Sequence, residues 1–112
     1  MTPTIQELML IRTPQAFVPE QARDLTATVQ IDFSQDGGGI YVVSIADGQC
    51  TVSEGAIDQP DAMMMTSQET YLAVAEGTLN VMTAFMTGKL RVSGNLPLLI
   101  RFQQIFGPLF QP

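Results

Sequence analysis

The sequence predicts an α+β fold in which helices gather on one face of a five-stranded, mixed, twisted sheet. Three observations carry this expectation. Between Leu25 and Thr66 apolar residues recur with the period of two that a strand requires, interrupted by the turn sequences DGGG and DG. From Thr66 to Phe106 most of them recur instead at helical spacing. The chain has 112 residues, 46% apolar and 14% charged, enough to bury one core but hardly two, so one domain over 1–112 is expected.

At the N-terminus, Thr2-Pro3 is placed to begin a helix with Ile5, Leu8 and Met9 on one face, and a turn at Pro14 to Phe17 leads into PEQARD. In LTATVQIDF (25–33), Leu25, Ala27, Val29, Ile31 and Phe33 alternate with polar residues, which predicts a half-buried strand with a wet face. DGGG turns the chain into IYVVSIA (40–46), whose β-branched and aromatic residues suit a central strand. Asp47-Gly48 then predicts a two-residue type I′ hairpin into QCTVSEG, making the first three strands an antiparallel meander. IDQPD (57–61) breaks the pattern before AMMMT, a fourth strand.

Thr66 with Glu69 three residues on fits a capping box for a short helix carrying Tyr71, Leu72, Val74 and Ala75, which Gly77 can terminate. Thr78 is placed to cap a second helix with Leu79, Met82, Phe85 and Met86 on one face, ending at Gly88. In KLRVS, Leu90 and Val92 point one way and Lys89, Arg91 and Ser93 the other, giving a fifth strand. Asn95 caps a last helix to about Phe106, with Pro97 in its first turn, Gly107-Pro108 beyond, and a stripe of Leu98, Leu99, Phe102, Ile105 and Phe106.

Composition excludes several functions. The longest apolar runs, such as IYVV and LPLLI, fall far short of the ~20 residues of a membrane span. MTPTIQELML has no basic leader and carries Glu7 among its apolar residues, so a secretory signal is not expected and a cytoplasmic location is. Cys50 stands alone, without a disulfide partner, in a strand-like segment that predicts a buried, inert thiol. With no histidine and one lysine, His-dependent triads and most zinc sites are ruled out, and neither a catalytic residue nor a cofactor is expected. Asp58 and Asp61 flank a loop without the ligand density of a calcium site, so no metal is expected. The glycines at 37–39 and Gly88-Lys89 both lead into strands, whereas a phosphate-binding loop opens a helix and continues GK[ST].

The charge is lopsided. All eleven acidic residues lie between Glu7 and Glu76 with only Arg12 and Arg23 beside them, a balance of −9. From Gly77 onward Lys89, Arg91 and Arg101 stand without an acid, giving +3 and a total of −6. An acidic chain with so few basic residues and no RNA-binding aromatic signature does not point to nucleic acid. Seven methionines, unbranched and polarizable, suit either ordinary core filling or an apolar surface that accepts ligands of varied shape.

The ordered blocks FVPEQARDL, TVQIDF, GGGIYVVSIADGQCTVSEG, PDAMMMTSQETYLAVAEGTLN and AFMTGKLRVSGN resemble the sterol carrier protein type two domain, a family of small lipid-binding proteins. Phe85-Met86, Gly88-Lys89 and Gly94-Asn95 are the most specific matches, and the resemblance runs from about Phe17 to Phe106. It implies an apolar tunnel enclosed between sheet and helices that takes fatty acids, fatty acyl-CoA, phospholipids or sterols, and a non-enzymatic carrier. On that reading Leu72, Met82, Phe85, Met86, Leu90, Leu98, Phe102 and Phe106 line the tunnel, while Lys89, Arg91 and Arg101 meet anionic head groups or a transient anionic membrane surface. Similar domains also hold polyprenyl intermediates for ubiquinone-making enzymes, so an alternative is an accessory factor with a biosynthetic enzyme as partner. A second alternative is a protein-interaction module with a filled core, in which the stripe with Leu109 and Phe110 of the GPLFQP tail forms a dimer interface. The minimal chain, with no thiolase or dehydrogenase part and no C-terminal targeting tripeptide, leads us to expect none of the peroxisomal roles of fused forms. The same apolar residues suit a filled core and an open tunnel, so the pattern leaves cavity, ligand and oligomeric state open.

Overall fold

The computed structural model describes residues 4–106, apart from the side chain of Gln103. Alternation and turn chemistry produce five strands: β1 (Ala27–Asp32), β2 (Ile40–Ala46), β3 (Gln49–Glu54), β4 (Ala62–Thr66) and β5 (Leu90–Gly94). They form one sheet in the order β3-β2-β1-β4-β5. All neighbours are antiparallel except β1 and β4, which run parallel with Val29 beside Ala62 and Ile31 beside Met64. The meander is therefore present, and the sheet is mixed. The hairpin at Asp47-Gly48 has positive φ at both residues, 54° and 72°, as a type I′ turn requires.

The register puts Ala27, Val29, Ile31, Tyr41, Val43, Ile45, Ala62, Met64 and Leu90 on one face, where all are buried in the core. Among the described residues five α-helices flank the sheet: α1 (Ile5–Glu7), α2 (Thr13–Ala16), α3 (Gln68–Glu76), α4 (Val81–Met86) and α5 (Leu96–Gln104). A π-helical turn, Leu8–Arg12, joins α1 to α2. Pro14, which offers no N–H and crowds the carbonyl four residues back, lies just beyond this turn, inside a helix that continues to Ala16 where a turn was expected. Ile5, Leu8, Met9, Leu98, Leu99, Phe102 and Ile105 close over the sheet's apolar face, joined by the partly buried Tyr71, Leu72, Val74 and Ala75 of α3. Phe33 holds α3 down through an edge-on contact with Tyr71, ring centroids 5.1 Å apart.

The opposite face is wet only in part. Residues 55–61 cross it to carry the chain from β3 past β2 and β1 to β4, and the N–H of Ile57 donates to Gln30 Oε1 at 3.0 Å. This crossing accompanies the burial of Gln30 and Val42 on a face that alternation marks as solvent-facing. Asp61 ends the crossing, its carboxylate accepting from the Thr28 N–H at 2.8 Å and the Thr28 hydroxyl at 3.2 Å.

Thr4 caps the first described helix, its hydroxyl accepting from the Glu7 N–H. Two caps differ from expectation. Ser67, not Thr66, caps α3. Thr66 is the last residue of β4 and is buried, its hydroxyl donating to the Lys89 carbonyl at 3.0 Å, so it is unavailable as a cap. Asn80, not Thr78, caps α4, because the Gly77 turn consumes Thr78, whose N–H and hydroxyl both donate to the Ala73 carbonyl. Gly77 and Gly88 take the left-handed conformation as expected, and Asn95 caps α5, which ends at Gln104 rather than Phe106. The expectations on Thr2-Pro3 and on GPLFQP lie outside the described residues.

Candidate functional site

Between α4, β5 and α5 the covering layer does not close over the sheet. Each of these elements is set locally by a few polar contacts. Asn80 Oδ1 accepts from the Met82 and Thr83 N–H groups at 2.8 and 3.3 Å and starts α4. The Thr87 hydroxyl donates to the Thr83 carbonyl at 2.8 Å, and Gly88, at φ 80°, turns the chain into β5. At the far end of β5, Gly94 (φ 88°) lies against β4 so closely that a Cβ there would sit 2.7 Å from the Asp61 carbonyl oxygen. The Asn95 N–H donates to that same oxygen at 3.0 Å, and Asn95 Oδ1 accepts from Leu98 to begin α5.

The result is a cleft of about 120 Å³, open on one side, lined by Met64, Val81, Met82, Phe85, Leu90, Val92, Leu96, Leu99 and Ile100. Met64, Leu90 and Val92 form its floor on the apolar face of β4 and β5, where Met64 pairs with Val92. Every lining side chain is apolar, so the cleft offers no general base, nucleophile or charge for a head group. Its capacity is apolar contact. Five of the seven large hydrophobic side chains exposed among the described residues, Met82, Phe85, Met86, Leu96 and Ile100, stand at or beside its mouth. This concentration is what marks the site, since scattered exposed apolar residues are ordinary.

The tunnel residues read from the sequence are distributed as follows. Met82, Phe85 and Leu90 line the cleft together. Met86 points outward, 79% exposed. Leu98 and Phe102 are buried in the core, and Phe106 stacks near both Phe102 and Phe17, ring centroids 5.0 and 5.8 Å away. Leu72 is partly buried on α3 and packs on the core. The cavity formed here is an open cleft, and an enclosed tunnel is not what these residues display. Met64, Val81, Val92, Leu96, Leu99 and Ile100 complete the wall. Leu96 and Ile100 are four residues apart on α5, a second apolar strip beside the buried one, and that spacing was the available signal. Lys89, Arg91 and Arg101 are exposed and form no ion pair with a described residue. Lys89 and Arg91 bracket Leu90, and Arg101 follows Ile100.

The ionisable groups with shifted behaviour lie away from the cleft. Burial pushes the Tyr71 hydroxyl up to about 12 and the Cys50 thiol up to about 11. Burial, and secondarily the Glu54 carboxylate, raises Tyr41. Such thiols and phenols are held neutral, the reverse of an activated nucleophile. No group of three or more potential metal ligands occurs among the described residues. No described helix is long and apolar enough to cross a membrane.

The chain belongs to the SCP-2 sterol transfer family, whose model matches residues 9–107. Among curated proteins it is similar to the hydroxysteroid dehydrogenase-like protein 2 of Rattus norvegicus, 29% identical over 87 residues that are 77% of this chain and 17% of that protein. The chain thus spans less than a fifth of that relative's length. Among solved structures, palmitated SCP2L2 from Aedes aegypti is 23% identical with a TM-score of 0.67, covering 92% of this chain and 94% of that one. The sec-alkylsulfatase Pisa1 from Pseudomonas sp. is 18% identical with a TM-score of 0.76, covering 89% of this chain and 16% of that one. These likenesses establish the fold, and family membership makes the chain a lipid-binding domain of the sterol carrier type.

Proposed function

We propose that this member of the family carries a single-chain or isoprenoid lipid by seating its apolar tail in the α4–β5–α5 cleft and leaving its head group in solvent. The observation that supports this reading most is the wall itself, nine apolar side chains from four elements with no polar side chain among them. Each methylene removed from water there yields about 0.8 kcal/mol, so a tail of moderate length binds without any charged partner. A wall of this kind discriminates weakly between fatty acid, acyl-CoA, phospholipid and isoprenoid tails. The palmitated state named for the mosquito relative supports an acyl chain as one occupant.

The cleft, at about 120 Å³, is smaller than the ~300–1,000 Å³ of most ligand pockets. A whole tail therefore requires α4 to move outward. That helix suits the role, because Ala84 is its one fully buried residue and left-handed glycines, Gly77 and Gly88, flank its connections. Binding, not chemistry, is the act performed.

Native mass spectrometry of freshly purified protein, followed by solvent extraction and identification of released lipid, tests the proposal. A stoichiometric lipid adduct is the expected result, and its class names the cargo. Protein that flies empty and also refuses added acyl and isoprenoid lipids would overturn it.

A further inference from the structure

Three of the described methionines gather at the cleft, and they differ in access. Met64 belongs to its floor at 6% exposure, Met82 stands in its wall at 56%, and Met86 lies beside it at 79%. Met9 is sealed in the core, and the partly buried Met63 and Met65 alternate with Met64 onto the other face of the sheet. A thioether is the one aliphatic side chain that a single oxygen transfer makes polar, turning a flexible apolar group into a sulfoxide. Exposure decides which thioether an oxidant reaches, so Met82 and Met86 are open to it and Met64 and Met9 are not. Cys50, the chain's single cysteine, does not compete, because burial pushes its thiol up to about 11 and the neutral thiol is a poor nucleophile.

The two open sites differ in consequence. Met86 is outside the wall, whereas Met82 is part of it, among side chains that carry no donor for a sulfoxide oxygen. A sulfoxide at Met82 must therefore keep its oxygen in water, which either draws the side chain out of the wall or hydrates the place of the cargo's methylenes. The fold is not at stake. Helix α4 is held by the buried Ala84 and by the hydrogen bonds of Asn80 and Thr87, none of which uses the Met82 side chain.

We infer that Met82 is an oxidation site that gates the cleft, its thioether taking one oxygen from a hydroperoxide and its sulfoxide releasing the cargo. The inference rests on the cleft being the lipid site. In the step, the sulfur lone pair attacks the terminal peroxide oxygen and an S–O bond forms as the O–O bond breaks. Sulfur is oxidised by two electrons, and the peroxide, reduced by the same two, leaves as water or an alcohol that retains its proton. A methionine sulfoxide reductase reverses the change. Cargo and oxygen oppose one another, since whatever the sulfoxide takes from lipid affinity, bound lipid takes from the ease of oxidation.

Hydrogen peroxide treatment of the purified protein, with oxidised methionines located by tandem mass spectrometry and a fluorescent fatty acid titrated before and after, provides the test. Met82 and Met86 should gain oxygen well before Met64 and Met9, and saturating fatty acid should slow the reaction at Met82 but not at Met86. With Met82 oxidised, Kd should rise about tenfold, as expected for an unpaired polar group in an apolar wall, and the reductase should restore it. Melting by circular dichroism should not change. Comparing each variant with its own untreated form, peroxide should leave the Kd of Met82→Leu where it was, while Met86→Leu should respond as wild type does. Oxidation of Met82 no faster than that of Met64 and Met9, an undiminished affinity once Met82 is oxidised, or an equal loss in Met82→Leu would overturn the gate and leave the carrier reading in place. Untreated protein that takes up no fatty acid would refute the carrier reading itself, and the gate with it.

Discussion

Truncating Phe85 and Phe102 separately distinguishes the wall of the cleft from the core behind it. Phe85 lines the cleft and is 43% exposed, so Phe85→Ala leaves no enclosed cavity and forfeits about half of a Phe side chain's burial, about 1 kcal/mol. Phe102 is 6% exposed and packs 5.0 Å, centroid to centroid, from Phe106, so Phe102→Ala empties a closed site and costs about 3–5 kcal/mol. For a domain of this size those losses correspond to falls in Tm of about 4 °C and about 12–20 °C. Binding should follow the opposite order. The Phe85 ring covers two or three methylenes of a seated tail, about 2 kcal/mol, so Kd for a fluorescent fatty acid rises about 30-fold in Phe85→Ala. Phe102→Ala, assayed below its own Tm, should bind within a few-fold of wild type. Melting by circular dichroism and titration by fluorescence give both numbers from one preparation. The reasoning fails if Phe85→Ala binds within threefold of wild type, or if Phe102→Ala loses the lipid while melting normally.

Two further outcomes follow from geometry already described. Gly94→Ala combines a φ of 88° with a Cβ 2.7 Å from the Asp61 carbonyl oxygen and 3.0 Å from Ala62 Cα, both backbone atoms. It should destabilise by more than the ~1–2 kcal/mol of left-handed strain alone, and denaturant midpoints within error of wild type would contradict the close approach of β5 to β4. Cys50 and Tyr71 are raised to about 11 and about 12 by burial, so above the ordinary thiol range the unfolded chain loses its protons before the folded one does. Their contribution to stability is thus complete below about pH 9 and is lost as pH climbs toward 12, which unfolding curves at pH 8 and pH 11 will show, and Cys50→Ser together with Tyr71→Phe should flatten the difference.

Much of the sheet was legible because the signals that specify it are local. Alternation in TVQID and IYVVSIA, a positive-φ pair at Asp47-Gly48 and a glycine after each of two short helices are decided by a residue and its neighbours. The cap on α3 slipped for a reason outside that window. Thr66 and Ser67 are equally good caps by composition, and only the partnership of Thr66 with Lys89, 23 residues away, decides between them. The burial of Gln30 is of the same kind, since it depends on residues 55–61 crossing a face that their sequence does not announce.

The cleft was half legible, and the missing half is physically instructive. On α5 the stripe Leu98, Leu99, Phe102 and Ile105 is a sufficient apolar face for a helix on a sheet, and it is buried as such. Leu96 and Ile100 are surplus to it, 47% and 59% exposed, and α4 likewise buries Ala84 while leaving Met82 and Phe85 half outside. A folding core has no use for apolar side chains left in water, whereas a site that must accept apolar cargo requires them before the cargo arrives. Hydrophobicity and spacing alone put the buried Leu98 and Phe102 in one tunnel with the exposed Met82, Phe85 and Met86. The wall of the proposed site is instead largely the set left over once packing is satisfied, and that remainder separates from the core only after the helices have been laid on the sheet.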